Sequence, residues 1–360
     1  MLRPNMEGWY RREGQAYIRI NSDGLRDREH AKVKPADTVR IAILGDSYAE
    51  AFQVPMENTF WYLIEQRVRS CEVFGGKSVE VINFGVQGYS TAQELITLQN
   101  QVWNYSPDIV LLAVTTSNDI IDNSRTLKKD RHVPYFILGE GGLVLDDSFK
   151  NTRVFRLRNS ALARLGNWFL ARSRVMQLVD DSFLRLKYYR TSRKLPATPS
   201  LVMTFAGPNG RAEFQVTAEF VIDQMLYREP RDQAWIDAWS VTEALITQIN
   251  LEVKAHGAKL LVVTLSNVAQ LNPDPAERRA YFDKVGAKDI FYPDNRIKAL
   301  GDHVGFAVLN LAPPLQAYAE SHQAHLHGFG ESLTGLHWNL EGHRVVGEIV
   351  SQRICEGIAR

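Results

Sequence analysis

Four short stretches of this chain carry side chains suited to work on an acyl group: Gly45-Asp46-Ser47, Gly85-Val86-Gln87-Gly88, Ser117-Asn118-Asp119 and His337-Trp338. A serine hydroxyl becomes a useful nucleophile when a neighbouring base takes its proton, and histidine titrates near neutrality. Ser47 is the candidate nucleophile and His337 the candidate base. The oxyanion formed by such an attack needs preorganised donors. The Ser47 N–H, the Gly88 N–H and the Asn118 side-chain amide are the candidates. A serine early and a histidine late in the chain are compatible with the Ser/His device, which is defined by roles and not by order. Each stretch alone is short, and Gly45-Asp46-Ser47 reads equally well as a structural turn. Gly85 and Gly88 lack the full spacing of a dinucleotide fingerprint.

The elements that must position these residues are legible in the pattern. Val39, Ile41, Ile43 and Leu44 form an apolar run that reads as a buried strand of a parallel sheet. It stops at Gly45, and Tyr48 to Ala51 can open a helix. Residues 79–84 and 107–114 read as further strands, ending in the loops 85–91 and 115–119. Phe60, Leu63, Ile64 and Val68 recur at helical spacing, and Thr91 can cap a helix running to about 103. Later come a helix over 235–256 closed by Gly257, a strand over 259–265 and a helix starting at 273–277. A strand over 305–311, a helix to about 320, a His- and Gly-rich loop over 321–330 and a closing helix over 344–354 follow. This alternation predicts an α/β fold of three layers, α/β/α, around a central parallel sheet. Strand ends of such a sheet share one edge, so the four stretches can meet there.

Two parts lie outside that alternation. Residues 1–38 read as an N-terminal arm with one strand near Tyr17, Ile18 and Ile20, a turn at Asn21 to Gly24 and a charged connection from Leu25 to Glu29. The arm reads as a surface strap without chemistry. Residues 39–360 read as one domain with an insertion at about 130–231. The insertion holds a hairpin (134–138 with 143–145), a helical region over 153–194 and an irregular linker over 191–231. The helical region has eleven Lys or Arg against two Asp, with apolar positions at Leu162, Leu165, Phe169, Met176, Val179, Phe183 and Leu186. One reading makes it a peripheral membrane contact or a contact with an anionic polymer. The other, the expectation here, makes it a lid or cap helix pair packed on the sheet with its basic residues solvated.

The 360 residues are 45% hydrophobic and 23% charged, the composition of a globular chain with a sizeable core. A net charge of +1 gives no general case for nucleic acid binding. Cys71 and Cys355 have no metal-site spacing; a disulfide and two buried thiols both remain open. No apolar run is long enough to span a membrane. Residues 1–10 are polar and hold no signal peptide. They read as cut into a longer protein, so a truncated exported or anchored protein is one expectation and the compartment is left unknown.

Taken together, the four stretches resemble the blocks of the SGNH hydrolases, the GDSL esterase/lipase superfamily. Gly45-Asp46-Ser47 matches the first block. Asn83-Phe-Gly-Val-Gln-Gly88-Tyr89 matches the second, with Gly88 at the oxyanion glycine. Ser117-Asn118-Asp119 matches the third, Ser117 standing where the family usually has glycine. His337-Trp-Asn-Leu-Glu-Gly-His343 matches the last, with His337 at the catalytic histidine. The resemblance implies a flavodoxin-like three-layer fold and hydrolysis or transfer of acyl groups without a cofactor or metal. The implied reaction is a serine esterase acting on short acyl esters, O-acetyl groups of carbohydrates among them; the partner is then a small-molecule or glycan ester. Carbohydrate O-acyl transfer is the alternative.

One departure bears on the chemistry. The family's last block usually reads Asp-x-x-His, and here that position is Thr334. Threonine accepts a hydrogen bond but cannot stabilise an imidazolium as a carboxylate does. Three readings stand: a Ser47–His337 dyad with a backbone carbonyl fixing the tautomer, a carboxylate from elsewhere such as Glu331, or an inactive glycan- or lipid-binding protein. The intact remaining blocks favour the first two. Among the other polar residues, His343 is expected to cap or pack, and Asp46 to brace the turn. Asp119 is expected to cap the loop after Asn118, and Trp338 to line the pocket or cover His337. His322, His325 and His327 read as a polar loop and not as a metal site.

Overall fold

The computed structural model describes residues 2–358 apart from 174, 177, 180–181, 184–185, 187–200, 208–209, 217–223 and 331–336. The arm begins with an antiparallel hairpin, β1 (Glu7–Tyr10) and β2 (Ala16–Arg19), paired from Glu7–Arg19 to Tyr10–Ala16. The sequence predicts only one strand here. β1 escapes because none of its four residues is buried, so it shows no alternation of apolar and polar positions.

The sheet's first half follows: β3 (Thr38–Leu44), α1 (Ser47–Glu50), α2 (Phe60–Val68), β4 (Ser78–Asn83), α3 (Thr91–Asn100), β5 (Ile109–Thr115) and α4 (Thr116–Asp122). The insertion carries α5 (Arg125–Lys128), hairpin β6 (Tyr135–Gly139) with β7 (Gly142–Asp146), α6 (Arg153–Arg158), α7 (Ala161–Arg172), and hairpin β8 (Leu201–Gly207) with β9 (Gly210–Val216). The second half is α8 (Gln233–Ala255), β10 (Lys259–Leu265), α9 (Pro275–Val285), α10 (Tyr292–Val304), β11 (Ala307–Asn310), α11 (Ala312–His322) and α12 (Leu340–Cys355).

Among the described residues, five strands form one parallel sheet in the order β11-β10-β5-β3-β4. The strand order reverses between β3 and β5, the place where open α/β sheets leave a crevice at their carboxyl ends. Alternate strand residues feed two cores. Ala42, Leu44, Leu112 and Val262 pack under α3 and α8 with Leu95, Trp239 and Ile246. Ile41, Ile43, Leu111 and Val263 pack under α2 and α12 with Trp61, Ile64 and Val346. The period-2 alternation of β3 therefore bonds both helical layers to one strand, and its end is fixed from both sides.

Three expectations fail. The linker over 191–231 contains the hairpin β8–β9, in register from Leu201–Val216 to Gly207–Gly210, so the Gly207 and Gly210 turn signal marks a hairpin turn. The charged connection of the arm is not a surface feature: Arg26 and Asp27 are buried. The lid or cap helices do not bury their apolar positions: Leu162 and Leu165 on α7 are exposed, as are Met176, Val179 and Phe183 beyond it.

Cys71 and Cys355 form a disulfide, with Cα atoms 5.3 Å apart and 284 residues between them in sequence. It ties the loop after α2 to the last residue of α12, within one helical layer. In the chain-entropy view a bridge closing so long a loop restricts the unfolded chain strongly, by about 5 kcal/mol at most. A Cys71→Ser/Cys355→Ser double variant is predicted to lose about 2–5 kcal/mol of stability. The readout is the urea unfolding midpoint, and an unchanged midpoint would contradict this role.

Candidate active site

β3 delivers Ser47 to the sheet edge. Asp46 is the N-cap of α1 and accepts the Tyr48 N–H at 3.0 Å, so Ser47 becomes the first helical residue. The first N–H groups of a helix have no intrahelical acceptor, which suits the Ser47 N–H to a developing anion. The far end of α1 rests on the arm. The Arg26 guanidinium donates to the Glu50 carbonyl at 2.6 Å and to the carbonyls of Ala51 and Val54. Burial pushes Arg26 down to about 10, still charged at neutral pH. Asp27 accepts the Asn83 N–H at 2.8 Å, and Asn83 Nδ2 donates to the Ala49 carbonyl at 3.0 Å. Arm, β4 and α1 thus form one hydrogen-bonded unit beneath Ser47.

After β4 the Tyr89 N–H returns to the Val86 carbonyl at 3.1 Å, and Gly88 sits in that turn at φ +76°. Only glycine adopts this conformation without strain. α4 holds Asn118, whose Nδ2 donates to Asp46 Oδ2 at 3.2 Å. An amide nitrogen has two hydrogens, so one remains for a ligand. Asp119 Oδ2 accepts the Thr115 N–H at 2.8 Å, bracing the same turn. Asp46 braces its turn as expected, whereas Asp119, expected to cap the loop after Asn118, reaches back to the end of β5 because residues 116–122 are helical.

His337 is held from the loop side. It precedes an isolated β-bridge between His327 and Trp338; the Gly328 N–H donates to the His337 carbonyl at 3.1 Å, and the Asn339 N–H to Leu326 at 3.0 Å. Trp338 is fully buried, edge-on to Tyr48 at 4.7 Å, so it packs beneath the site and does not line a pocket. His343 Nδ1 accepts the Phe60 N–H at 3.3 Å, capping α2, and its ring stacks on Phe60. Desolvation pushes His343 and His327 down to about 3, which leaves both neutral. His322 stacks on Tyr318, and His325 stands half-buried apart from it.

The structure brings Ser47 and His337 together. His337 Nε2 lies 2.8 Å from Ser47 Oγ, and His337 Nδ1 lies 2.5 Å from Oε2 of Glu13. Oε1 of the same carboxylate accepts the His337 backbone N–H at 3.1 Å. A carboxylate only accepts, so Nδ1 carries the proton, and in the neutral ring Nε2 is the acceptor for the serine hydroxyl. Glu13 lies at the tip of the β1–β2 hairpin. Thr334 and Glu331 lie outside the described residues; among the described residues the carboxylate that meets His337 is Glu13. The arm, expected to carry no chemistry, supplies it. Gly14 explains how: it sits at φ +69°, and a Cβ there would lie 2.3 Å from the Gln53 carbonyl. The tip therefore reaches the sheet edge because residue 14 has no side chain.

Sequence reasoning missed Glu13 because it lies 324 residues before His337. The one local signal is an acidic residue beside a glycine between two short strand-like runs.

Buried carboxylates lie near these three residues. Burial raises Asp46 above the usual carboxylate range. Burial also raises Glu50, against the Arg26 charge, to about 7. Burial and then repulsion from a neighbouring carboxylate, Asp46 for Glu94 and Glu94 for Asp119, hold both well above the usual carboxylate range.

No family model matches this chain, and no curated protein matches it. Among solved structures, the acetyl xylan esterase AlAXEase is similar at 12% identity over 88% of this chain and 100% of that one, with a TM-score of 0.42. Axe2, an acetylxylan esterase from Geobacillus stearothermophilus, is similar at 10% identity over 92% and 99%, with a TM-score of 0.41. A G-D-S-L family lipolytic protein from Desulfitobacterium hafniense is similar at 9% identity over 87% and 98%, with a TM-score of 0.39. The resemblance is to the SGNH hydrolases. In this chain it rests on the four blocks, the parallel sheet, and the meeting of the blocks at one edge of that sheet.

Glu50 yields a pH prediction. Its folded pKa is raised from 4.5 to about 7, so between those values the folded state holds a proton that the unfolded state has released. Stability then falls as pH rises through that window. Wild type is predicted to lose roughly 1–3 kcal/mol more than Glu50→Gln between the two limits. Urea midpoints across pH read this, and parallel curves for the two proteins would contradict it.

Proposed function

We propose that this protein is a serine esterase with a Glu13–His337–Ser47 triad. The observation that carries the reading is the continuous chain of contacts from carboxylate to imidazole to hydroxyl. Ser47 Oγ attacks the acyl carbonyl while His337 Nε2 takes its proton. The Ser47 N–H, Gly88 N–H and Asn118 amide receive the oxyanion, and Glu13 holds Nδ1–H and stabilises the imidazolium. Nε2 then returns the proton to the departing alcohol, leaving an acyl-serine. Water, deprotonated by Nε2, attacks that ester; the acid leaves and Ser47 regains its proton.

The resemblance to the SGNH hydrolases supports short acyl esters as substrates, O-acetyl groups of carbohydrates among them. The Cys71–Cys355 disulfide supports work in an oxidising compartment. The reading as a non-catalytic binder rested on a His337 without a carboxylate, and Glu13 removes that ground.

Initial rates on p-nitrophenyl acetate test the assignment. Ser47→Ala is expected to fall to background. Glu13→Gln is expected to lose about 10²- to 10⁴-fold in kcat with KM nearly unchanged, because the tautomer is no longer fixed. Thr334→Ala and Glu331→Gln are expected to stay near wild type. Equal rates in wild type and Ser47→Ala would overturn the esterase. A Glu13→Gln variant with wild-type kcat would remove Glu13 from the triad.

A further inference from the structure

The insertion leaves an apolar surface uncovered. Among the described residues, most of the large exposed apolar side chains lie between Ile137 and Leu186. On α7, Leu162 is 81% exposed, Leu165 53%, and Trp168 and Phe169 49% each; beyond it Leu178 is 67% and Phe183 64% exposed. Single exposed apolar residues are ordinary, but a contiguous run of this kind marks a surface that something covers. The charge of the same segment indicates what. Residues 153–194 carry eleven Lys or Arg and two Asp, a balance of +9 in a chain whose net charge is +1, so the rest of the chain is acidic by eight. On α6, Arg153, Arg156 and Arg158 are exposed beside exposed Val154 and Leu157.

We propose that α6 and α7 dock the protein on an anionic lipid bilayer, with α7 lying in the headgroup plane. Apolar side chains including Trp and Phe, flanked by basic residues, are the composition of an interfacial helix. Hydrocarbon covers an irregular apolar surface without needing a complementary shape, and acidic headgroups attract the excess positive charge. No described helix is long and apolar enough to cross a membrane, so the segment lies on the bilayer and does not span it. The opposite charge of the remaining chain turns the body away from an anionic surface, orienting the molecule as well as holding it.

Vesicle co-sedimentation tests this with the full chain. The probes are vesicles of phosphatidylcholine alone and of phosphatidylcholine with an equal part of phosphatidylglycerol. Wild type is expected to pellet with the anionic vesicles, much less with the neutral ones, and less at high salt. A Leu165→Asp/Phe169→Asp variant is expected to lose at least tenfold in partitioning while keeping the wild-type circular dichroism spectrum and p-nitrophenyl acetate rate. Both residues are exposed, so the fold does not depend on them. Failure of wild type to pellet, equal pelleting of the variant, or equal binding to both vesicle types would overturn the proposal. So would a lipid-free dimer in analytical ultracentrifugation that the double substitution abolishes, since a second copy would then cover the face.

Discussion

In the proposed mechanism the proton on His337 Nδ1 must stay where it is if Nε2 is to receive the serine proton, and among the described residues the carboxylate that faces that proton is Glu13. The contact is two-point: one oxygen meets the ring and the other the backbone N–H of the same residue. Ring tautomer and ring orientation are therefore set together. Such a carboxylate also offsets the positive charge that develops on the imidazole during attack. The carboxylate comes from the opposite end of the chain, so the contact exists only when the arm is docked.

Much of the remaining architecture serves that docking. The β1–β2 hairpin gives the tip of the arm a defined shape, and Gly14 lets it approach Gln53 closely. Behind the tip, Arg26 satisfies three carbonyls at the end of α1, and Asp27 and Asn83 join the arm to β4. Removing any of these partners would leave buried polar groups without hydrogen bonds, which is costly in a dry interior. The same short helix that presents Ser47 is thus the anchor of the strap that carries Glu13. Ser47 and Glu13 are thereby kept in register. The sheet supplies the third fixed point, because Asn118 and Asp46 close the gap between the ends of β3 and β5.

The parts of the structure readable from sequence are those with a repeating physical cause. Ile41 and Ile43 against Ala42 and Leu44 alternate because the two faces of β3 meet two helical layers. The loops carrying Ser47, Gly88 and Asn118 were legible because parallel strands place their carboxyl ends on one edge. Glu13 was not legible, because no periodicity links the tip of a solvent-facing hairpin to a histidine 324 residues away. α10 was passed over although Pro293 near its first turn is a start signal. The hairpin β8–β9 is not legible as one, because Gly and Pro between apolar runs mark the end of a segment as readily as a turn that joins two strands. On α7 the helical spacing was right and the burial wrong: amphipathic spacing specifies a covered face, not what covers it.

The most direct test of the account is the proton on His337 Nδ1. Held by a carboxylate and mostly shielded from bulk water, it should give a far-downfield imidazole resonance in the proton NMR spectrum. This resonance is expected in wild type, in Thr334→Ala and in Glu331→Gln, and is expected to disappear in both His337→Ala and Glu13→Gln. A resonance that persists in Glu13→Gln, or that is lost in Glu331→Gln, would mean that His337 takes its partner from the loop and not from the arm.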